Sequence, residues 1–257
     1  MQSLFTFDGL REIILGVLAS FVTGAFLAVA GWITVRSGFG KIHRNAQRHL
    51  RQGQVLQSAG DFVRAREEFE TSIRLLREHP TPALLAEAYL RLGDTDLATK
   101  NWEGAVEHFK LYRELASKRA KVPEDLICLR IGRAHLGMGN VDEAFRFLDD
   151  ARQLQERVSQ NPLLGETYVR LAETEARRKR PDAAREHFLR AINVQERLRD
   201  RRAEAGSRVG LAEMYASMGD YPSARGQYTT AAQLYRTAGD SGTASLIDAK
   251  VSQIAVA

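Results

Sequence analysis

Five alanines, Ala65, Ala105, Ala144, Ala184 and Ala224, fall 40, 39, 40 and 40 residues apart, each inside the same local pattern. Four residues after each comes a large apolar side chain: Phe69, Phe109, Leu148, Phe188 and Tyr228. Three further on comes a small one in four units, Ser72, Ala151, Ala191 and Ala231, with Tyr112 the exception. Twelve residues before each alanine stands Gly53, Gly93, Gly132, Ala172 or Ala212. A fixed period with helical spacing inside each unit is the mark of a stacked helical repeat, whose units bury their apolar faces only against neighbours. The pattern predicts a binding surface rather than a catalytic core.

Counting each unit from Ala46, Ala86, Asp125, Gly165 and Ala205 puts the small residue at position 8, alanine at 20, the large apolar residue at 24 and the small one at 27. This spacing resembles the tetratricopeptide repeat, a pair of antiparallel helices per unit. The resemblance covers residues 46–237 and implies an all-α, right-handed superhelical solenoid. Turn residues agree with it: Gly60-Asp61-Phe62, Asn101-Trp102, Gly139-Asn140-Val141 and Gly219-Asp220-Tyr221 all fall at positions 15 to 17. The fourth unit departs, with Lys179-Arg180-Pro181 and no glycine. Gly or Ala at 8 and Ala at 20 let the paired helices approach, and the residue at 24 fills the gap to the next unit. Pro80, Pro123 and Pro162 come late, at positions 35, 38 and 38. The additional residues are therefore expected to lengthen each second helix by up to about one and a half turns. In period alone this resembles the long-unit arrays of Pins-type and kinesin-light-chain scaffolds. Residues 238–257, with Leu246, Ala249, Val251 and Ile254, read as a helix covering the open end of the stack.

The chain before the repeats is different. After a tail over 1–12, residues 13–35 carry no charge and are rich in Leu, Val, Ile, Phe and Ala. As a helix they reach about 34 Å, enough for a hydrocarbon core of about 30 Å, with Trp32 as an interfacial anchor. Asp8, Arg11 and Glu12 precede the run and it continues past Ala28-Val29-Ala30, which argues against a cleaved signal peptide. We therefore expect a single retained span. Gly16, Ser20, Gly24 and Ala28, four apart, form a small-residue stripe suited to packing against a second copy or another membrane subunit. A basic linker over 36–45 follows. Arg36, Lys41, Arg44, Arg48 and Arg51 stand in a stretch without acidic residues, so the positive-inside rule places the tail outside and the repeats in the cytoplasm, at a cell inner membrane. Arg36, Lys41, Arg44 and Arg48 also suit anionic head groups.

Catalytic chemistry is poorly represented. His43, His49, His79, His108, His135 and His187 lack metal-ligand spacing, and no phosphate-binding glycine loop occurs, so no enzyme activity, metal or cofactor is expected. Cys128, the single cysteine, excludes an internal disulfide and occupies a packing position. The clusters Arg177-Arg178-Lys179-Arg180 and Arg197, Arg199, Arg201 and Arg202 read as solvated turns; without interleaved aromatics they argue against nucleic acid.

The resemblance implies that the first helices line a concave face through positions 2, 5, 6, 9, 12 and 13. Position 5 gives an apolar stripe, Leu50, Leu90, Leu129, Val169 and Val209. Position 6 gives Arg51, Arg91, Arg130 and Arg170, and position 9 adds Asp94, Arg133 and Glu173. Guanidinium forks at regular spacing suit carboxylates along a peptide, whereas Glu87 and Glu166, four residues before Arg91 and Arg170, offer internal pairs instead. The lysine and asparagine clamp of chaperone-binding relatives is not reproduced. The reading is a membrane-anchored scaffold that recruits protein partners, including acidic ones. Its alternatives are a receptor for targeting signals on an organelle membrane and a tether for nucleic acid or anionic lipid.

Overall fold

The computed structural model describes residues 40–78, 80–116 and 123–254, and all regular structure among them is helical. The first helix, α1, covers 40–58. It is followed by α2 (Phe62–Glu78), α3 (Pro82–Ala98), α4 (Trp102–Ala116), α5 (Glu124–Met138), α6 (Val141–Glu156), α7 (Leu164–Arg177), α8 (Pro181–Leu198), α9 (Arg201–Ser217), α10 (Tyr221–Thr237) and α11 (Ser241–Ile254). The odd-numbered helices α1 to α9 are the first helices of the five units, and the even-numbered ones their partners. The membrane-span expectation for 13–35, its stripe at Gly16, Ser20, Gly24 and Ala28, Arg36 and His79 lie outside the described residues. Among the described residues no helix is long and apolar enough to cross a membrane.

The chain divides into two compact units, residues 1–88 and 89–257. In the first, α1 packs on α2 through the small residue at position 8. A Cβ on Gly53 would lie 2.5 Å from the Phe69 ring, so only glycine permits this approach. Ser72 Oγ donates to the Ala46 carbonyl at 2.9 Å, joining position 27 to position 1 of the same pair.

The second unit repeats the device. A Cβ on Gly93 would meet Phe109 at 2.7 Å, and one on Gly132 would meet Leu148 at 2.6 Å. The residue at 24 therefore fills the space inside its own pair as well as the gap between pairs. Phe188 does the latter, lying 2.7 Å from where a Cβ of Gly210 in the next unit would stand. Ala144, Leu148, Ala151, Tyr168, Leu171 and Ala191 form one continuous apolar cluster running across successive pairs. Two buried polar pairs repeat the same register. Thr167 Oγ1 donates to Gln155 Oε1 and Ser207 Oγ to Gln195 Oε1, both at 2.7 Å. Each fixes the end of one second helix against the start of the next first helix.

The turn of the fourth unit follows its neighbours despite lacking glycine. Gly60, Gly139 and Gly219 have φ between 79° and 82°, and Lys179 adopts φ 60° in their place. Asn140 N donates to the His135 carbonyl at 2.9 Å, and Arg180 N to the Glu175 carbonyl at 3.0 Å, the same helix-ending bond. Lys100 makes the same left-handed turn at φ 61°.

Two expectations on element lengths change. Among the described residues α8, with 18 residues, and α2 and α10, with 17 each, take additional length into the helix. In the third unit α6 stops at Glu156, and residues 157–163 leave it as a loop in which Gln160 has φ 58°. The linker expected over 36–45 is helical from at least residue 40, because His43 and Ala46 already face the α2–α3 side of α1 and hold it in place. At the carboxyl end α11 buries Ala244 and Ile247, with Val251 and Ile254 packed beside them. Leu246, 69 % exposed, faces solvent instead. The helical period selects 244, 247, 251 and 254 as one face, so Leu246 and Ala249 belong to another.

Candidate functional site

In the second unit the part of α3 from Tyr89 onward, α5, α7 and α9 bring positions 6, 9 and 13 of consecutive repeats onto one surface. Arg130 Nε of α5 pairs with Asp94 Oδ1 of α3 at 2.8 Å, both side chains being 20 % exposed. Arg133 Nη1 reaches Glu166 Oε1 of α7 at 3.3 Å. Arg170 reaches Glu166 at 3.7 Å and Glu173 at 3.0 Å. The intrahelical pair expected for Arg170 thus exists, but its shorter bond is to Glu173, and Glu166 is shared with the preceding repeat. Arg130 also lies over the Phe109 ring at 5.8 Å.

Burial raises the Asp94 carboxyl above its ordinary range, partly offset by the positive charges of Arg130, Arg91 and Arg133. Burial likewise lowers the Arg130 guanidinium, with Asp94 opposing and Arg133 and Arg91 adding to the effect. Three cations therefore converge on one carboxylate. Arg130 Nη1 and Arg170 Nε are buried without a hydrogen-bond partner among the described residues.

The apolar stripe expected at position 5 is only partly a lining. Leu129, 1 % exposed, sits in the core with Leu148, and Leu50, 2 % exposed, is equally buried in the first unit. They correct the sequence reading: position 5 points between the helices of the pair before it points outward. Leu90 and Val169 are half-buried, and Val169 does reach the open face.

Two adjoining cavities occupy that face. One of about 220 Å³ is lined by Leu97, Trp102, Leu136 and Gly137 and rimmed by Arg133, Arg170 and Arg177. Trp102 lies so close to α5 that a Cβ on Gly137 would stand 2.5 Å from its ring. Arg177 Nη1 donates to the Leu136 carbonyl, which turns this side chain, expected in a solvated turn, toward the cavity. The second, of about 460 Å³, is lined by Val169, Ala176, Phe188, Val209, Gly210 and Met214 and shares Glu173 and Arg177 with the first. Leu97, Leu136 and Ala176 stand at position 12, Gly137 and Arg177 at 13, and Gly206, which also lines the second cavity, at 2. These are positions that the resemblance places on the concave face.

In the first unit Lys41, Arg44, Arg48 and Arg51 are exposed along α1. Spaced three and four apart, they form one basic stripe. The histidines at position 23 serve packing. His108 stacks on Tyr89 at 5.9 Å and bonds buried Asp96 at 2.6 Å, and His187 stacks on Tyr168 at 6.0 Å. Cys128 is buried, and burial pushes its thiol up to about 12, with Glu124 the next contributor. A third cavity, of about 550 Å³, is lined by the 157–163 loop together with Leu164 and Tyr168 of α7 and one side of α8.

Residues 125–197 and 163–237 match the sequence model of the tetratricopeptide repeat. No curated protein sequence matches the chain. Solved structures similar to it share the helical-repeat fold at low identity. Nearly identical repeats of kinesin-light-chain type from Podosopora anserina are 17 % identical, cover 77 % of this chain and 97 % of their own, and give a TM-score of 0.62. A thermophilic tetratricopeptide repeat protein of Thermus thermophilus is 21 % identical, with coverage of 82 % and 100 % and a TM-score of 0.57. The Rap conjugation gene regulator of plasmid pLS20, solved in complex with the Phr* peptide, is 19 % identical, with coverage of 76 % and 55 % and a TM-score of 0.62.

Proposed function

We propose that this chain, whose residues 125–237 are tetratricopeptide repeats, is a membrane-anchored scaffold that recruits protein partners through the open face of its first helices. The observation that carries the reading is the row of arginines at positions 6, 9 and 13 beside two adjoining cavities. Arg133, Arg170 and Arg177 line the smaller of these cavities, and arginine matches carboxylate geometry in a fork. A helical array offers such a face as a long, fixed surface, so it suits binding rather than turnover. No catalytic step is assigned to it. A similar structure is a complex with a peptide, which favours the same class of ligand.

Anchoring rests on the sequence of residues 13–35, uncharged and long enough to span a bilayer. The exposed stripe of Lys41, Arg44, Arg48 and Arg51 supports it, since basic residues just inside a span set its orientation and meet anionic head groups. In this reading the repeats lie in the cytoplasm beside an inner membrane, and the stripe of Gly16, Ser20, Gly24 and Ala28 packs against a second copy or another span. Its test is a reporter fused after Ala257 together with affinity capture of the full chain from mild detergent. The reading expects a reporter active only in the cytoplasm and a discrete protein partner. A mature chain beginning near Gly31, or a reporter active on the far side, contradicts the anchor.

A further inference from the structure

We infer that the cavity between the 157–163 loop and α8 is a second docking site of this chain. Its occupant is a short extended segment of a partner protein that presents an apolar side chain and, two residues away, an acidic one. The site is independent of the open face, since this cavity shares no lining residue with the two cavities there. It arises from a break in the repeat. α6 ends at Glu156, position 32 of its unit, whereas α8 runs on to Leu198, position 34, so a loop rather than a helix flanks the last turn of α8. Both ends of the cavity are fixed by bonds of their own. In the loop Asn161, 9 % exposed, accepts from Leu163 N at 2.9 Å and donates to Asp125 Oδ2 at 3.3 Å. At the other end Glu156 accepts from Tyr168 Oη and Arg152 Nη1, and Arg190 donates to Glu186.

Shape selects the kind of occupant. Glu186 and Arg197 mark the ends of the lining face of α8 and stand about 16 Å apart at about 1.5 Å per residue. A volume of about 550 Å³ over that length leaves a cross-section of about 30 Å². A helix about 10 Å across needs roughly 80 Å² and does not fit. An extended chain, at about 3.3 Å per residue, lays one row of side chains into such a groove and spans it with about five residues. Val158 and Leu189 on the rim are 56 % and 50 % exposed, so the groove is open along its length and would leave a small molecule largely in water. Chemistry then sets the sequence of the segment. Leu164, Val194 and Leu198 are half-buried and give an apolar guest its contact area. The amides of Gln160 and Asn193 can each donate to a backbone carbonyl and accept from a backbone N–H, bonds that an acyl chain does not use. Among the charged groups lining the groove, Glu156, Glu186 and Arg190 are paired, whereas the exposed Arg197 guanidinium makes no hydrogen bond or ion pair among the described residues. The unmatched charge is positive, and a carboxylate meets it in a fork.

Two variants test this on the exposed side of α8, where neither side chain has a partner to lose: Asn193→Trp fills the groove and Arg197→Glu reverses its charge. An array of eight-residue peptides with permuted acidic, basic, polar and apolar residues would be probed with the full chain in lipid nanodiscs. Peptides bound by the parent and lost in Asn193→Trp report this groove. They should carry Asp or Glu two residues from Leu, Ile, Met or Phe, the spacing that puts both on one side of an extended chain. Arg197→Glu should weaken them at least tenfold, and changing the acid of the peptide to Lys should restore binding to that variant alone. Such rescue requires a folded groove, and circular dichroism checks both variants. An array in which no bound peptide is lost in Asn193→Trp, or in which the preference for acid survives Arg197→Glu, overturns the inference. Binding of decanoate that is lost in Asn193→Trp, with no peptide bound there, would assign the groove to an acyl chain and overturn it as well. A partner cross-linked through Val209, on the open face, should be captured equally by parent and both variants, so failure at this groove leaves the proposed function standing. Capture through Val209 that falls with Asn193→Trp would merge the two sites and overturn the inference.

Discussion

Replacing Gly132 and Gly226 by alanine makes the same chemical change in two helix interiors with opposite expected outcomes. A Cβ at Gly132 would stand 2.6 Å from Leu148 Cγ, 2.8 Å from its Cδ2 and 3.3 Å from its backbone nitrogen. Leu148 is fully buried, so it has no free volume into which to retreat and α5 must move off α6. Such overpacking costs about 1–3 kcal/mol, and alanine recovers about 1 kcal/mol of helix propensity. Because the nearest atom is the branch point of Leu148 rather than the tip of a flexible chain, the cost falls in the upper part of that range. The net loss should be about 1–2 kcal/mol. At Gly226 on α10 nothing lies within 4 Å, so alanine should gain about 0.5–1 kcal/mol. For a chain of this size the two changes shift the thermal midpoint by about 2–8 °C downward and about 1–4 °C upward. Far-ultraviolet circular dichroism on the full chain in one detergent reads both. A stabilised Gly132→Ala protein would refute the close helix approach on which the repeat register rests.

The left-handed turn at Lys179 strains a residue with a Cβ by about 1–2 kcal/mol, part of which glycine returns as chain entropy. Lys179→Gly should therefore raise stability by about 0.5–1 kcal/mol, and a lower melting temperature would contradict the shared turn geometry. Cys128, buried and with its thiol pushed up to about 12, should react with an aromatic disulfide reagent at pH 8 only as fast as the chain opens; prompt labelling of the native protein would place it at the surface. Burial is the leading cause that holds both His135 and His187 below the ordinary 6.5. The unfolded chain then takes up protons near pH 6.5 while the folded one does not, so their contribution is full above that value and is lost as the pH falls below it. Denaturant midpoints between pH 7 and pH 5 should fall less for His135→Phe, which keeps the stack on Phe147, than for the parent; an unchanged slope would refute this.

The repeats were legible because their spacing is itself physical: Gly53, Gly93 and Gly132 recur where only a hydrogen fits against Phe69, Phe109 and Leu148. The turn at Lys179 was less so, since a backbone conformation usually reserved for glycine is imposed there by the helices on either side. The period also could not say whether additional residues extend a helix, as in α8, or leave it, as between Glu156 and Leu164. Within the site, periodicity identified Arg130, Arg133, Arg170 and Glu173 because charge at groove positions is conspicuous. It placed Leu50 and Leu129 on the groove because hydropathy does not distinguish a lining leucine from a core one. Trp102 and Arg177 escaped for the opposite reason. They reach the face from the first residue of α4 and from the last residue of α7, and their direction is set by Gly137 and by the Leu136 carbonyl, neither visible as a pattern.

The central claim, that a partner occupies the face made by the first helices, is tested most directly by site-specific photo-cross-linking in native membranes. A benzophenone side chain would replace Val209, which lines the larger cavity, and in a separate chain Arg225, exposed on the second helix α10. The account predicts a discrete higher-mass adduct from position 209 and none from position 225. An adduct from position 225 alone would contradict it.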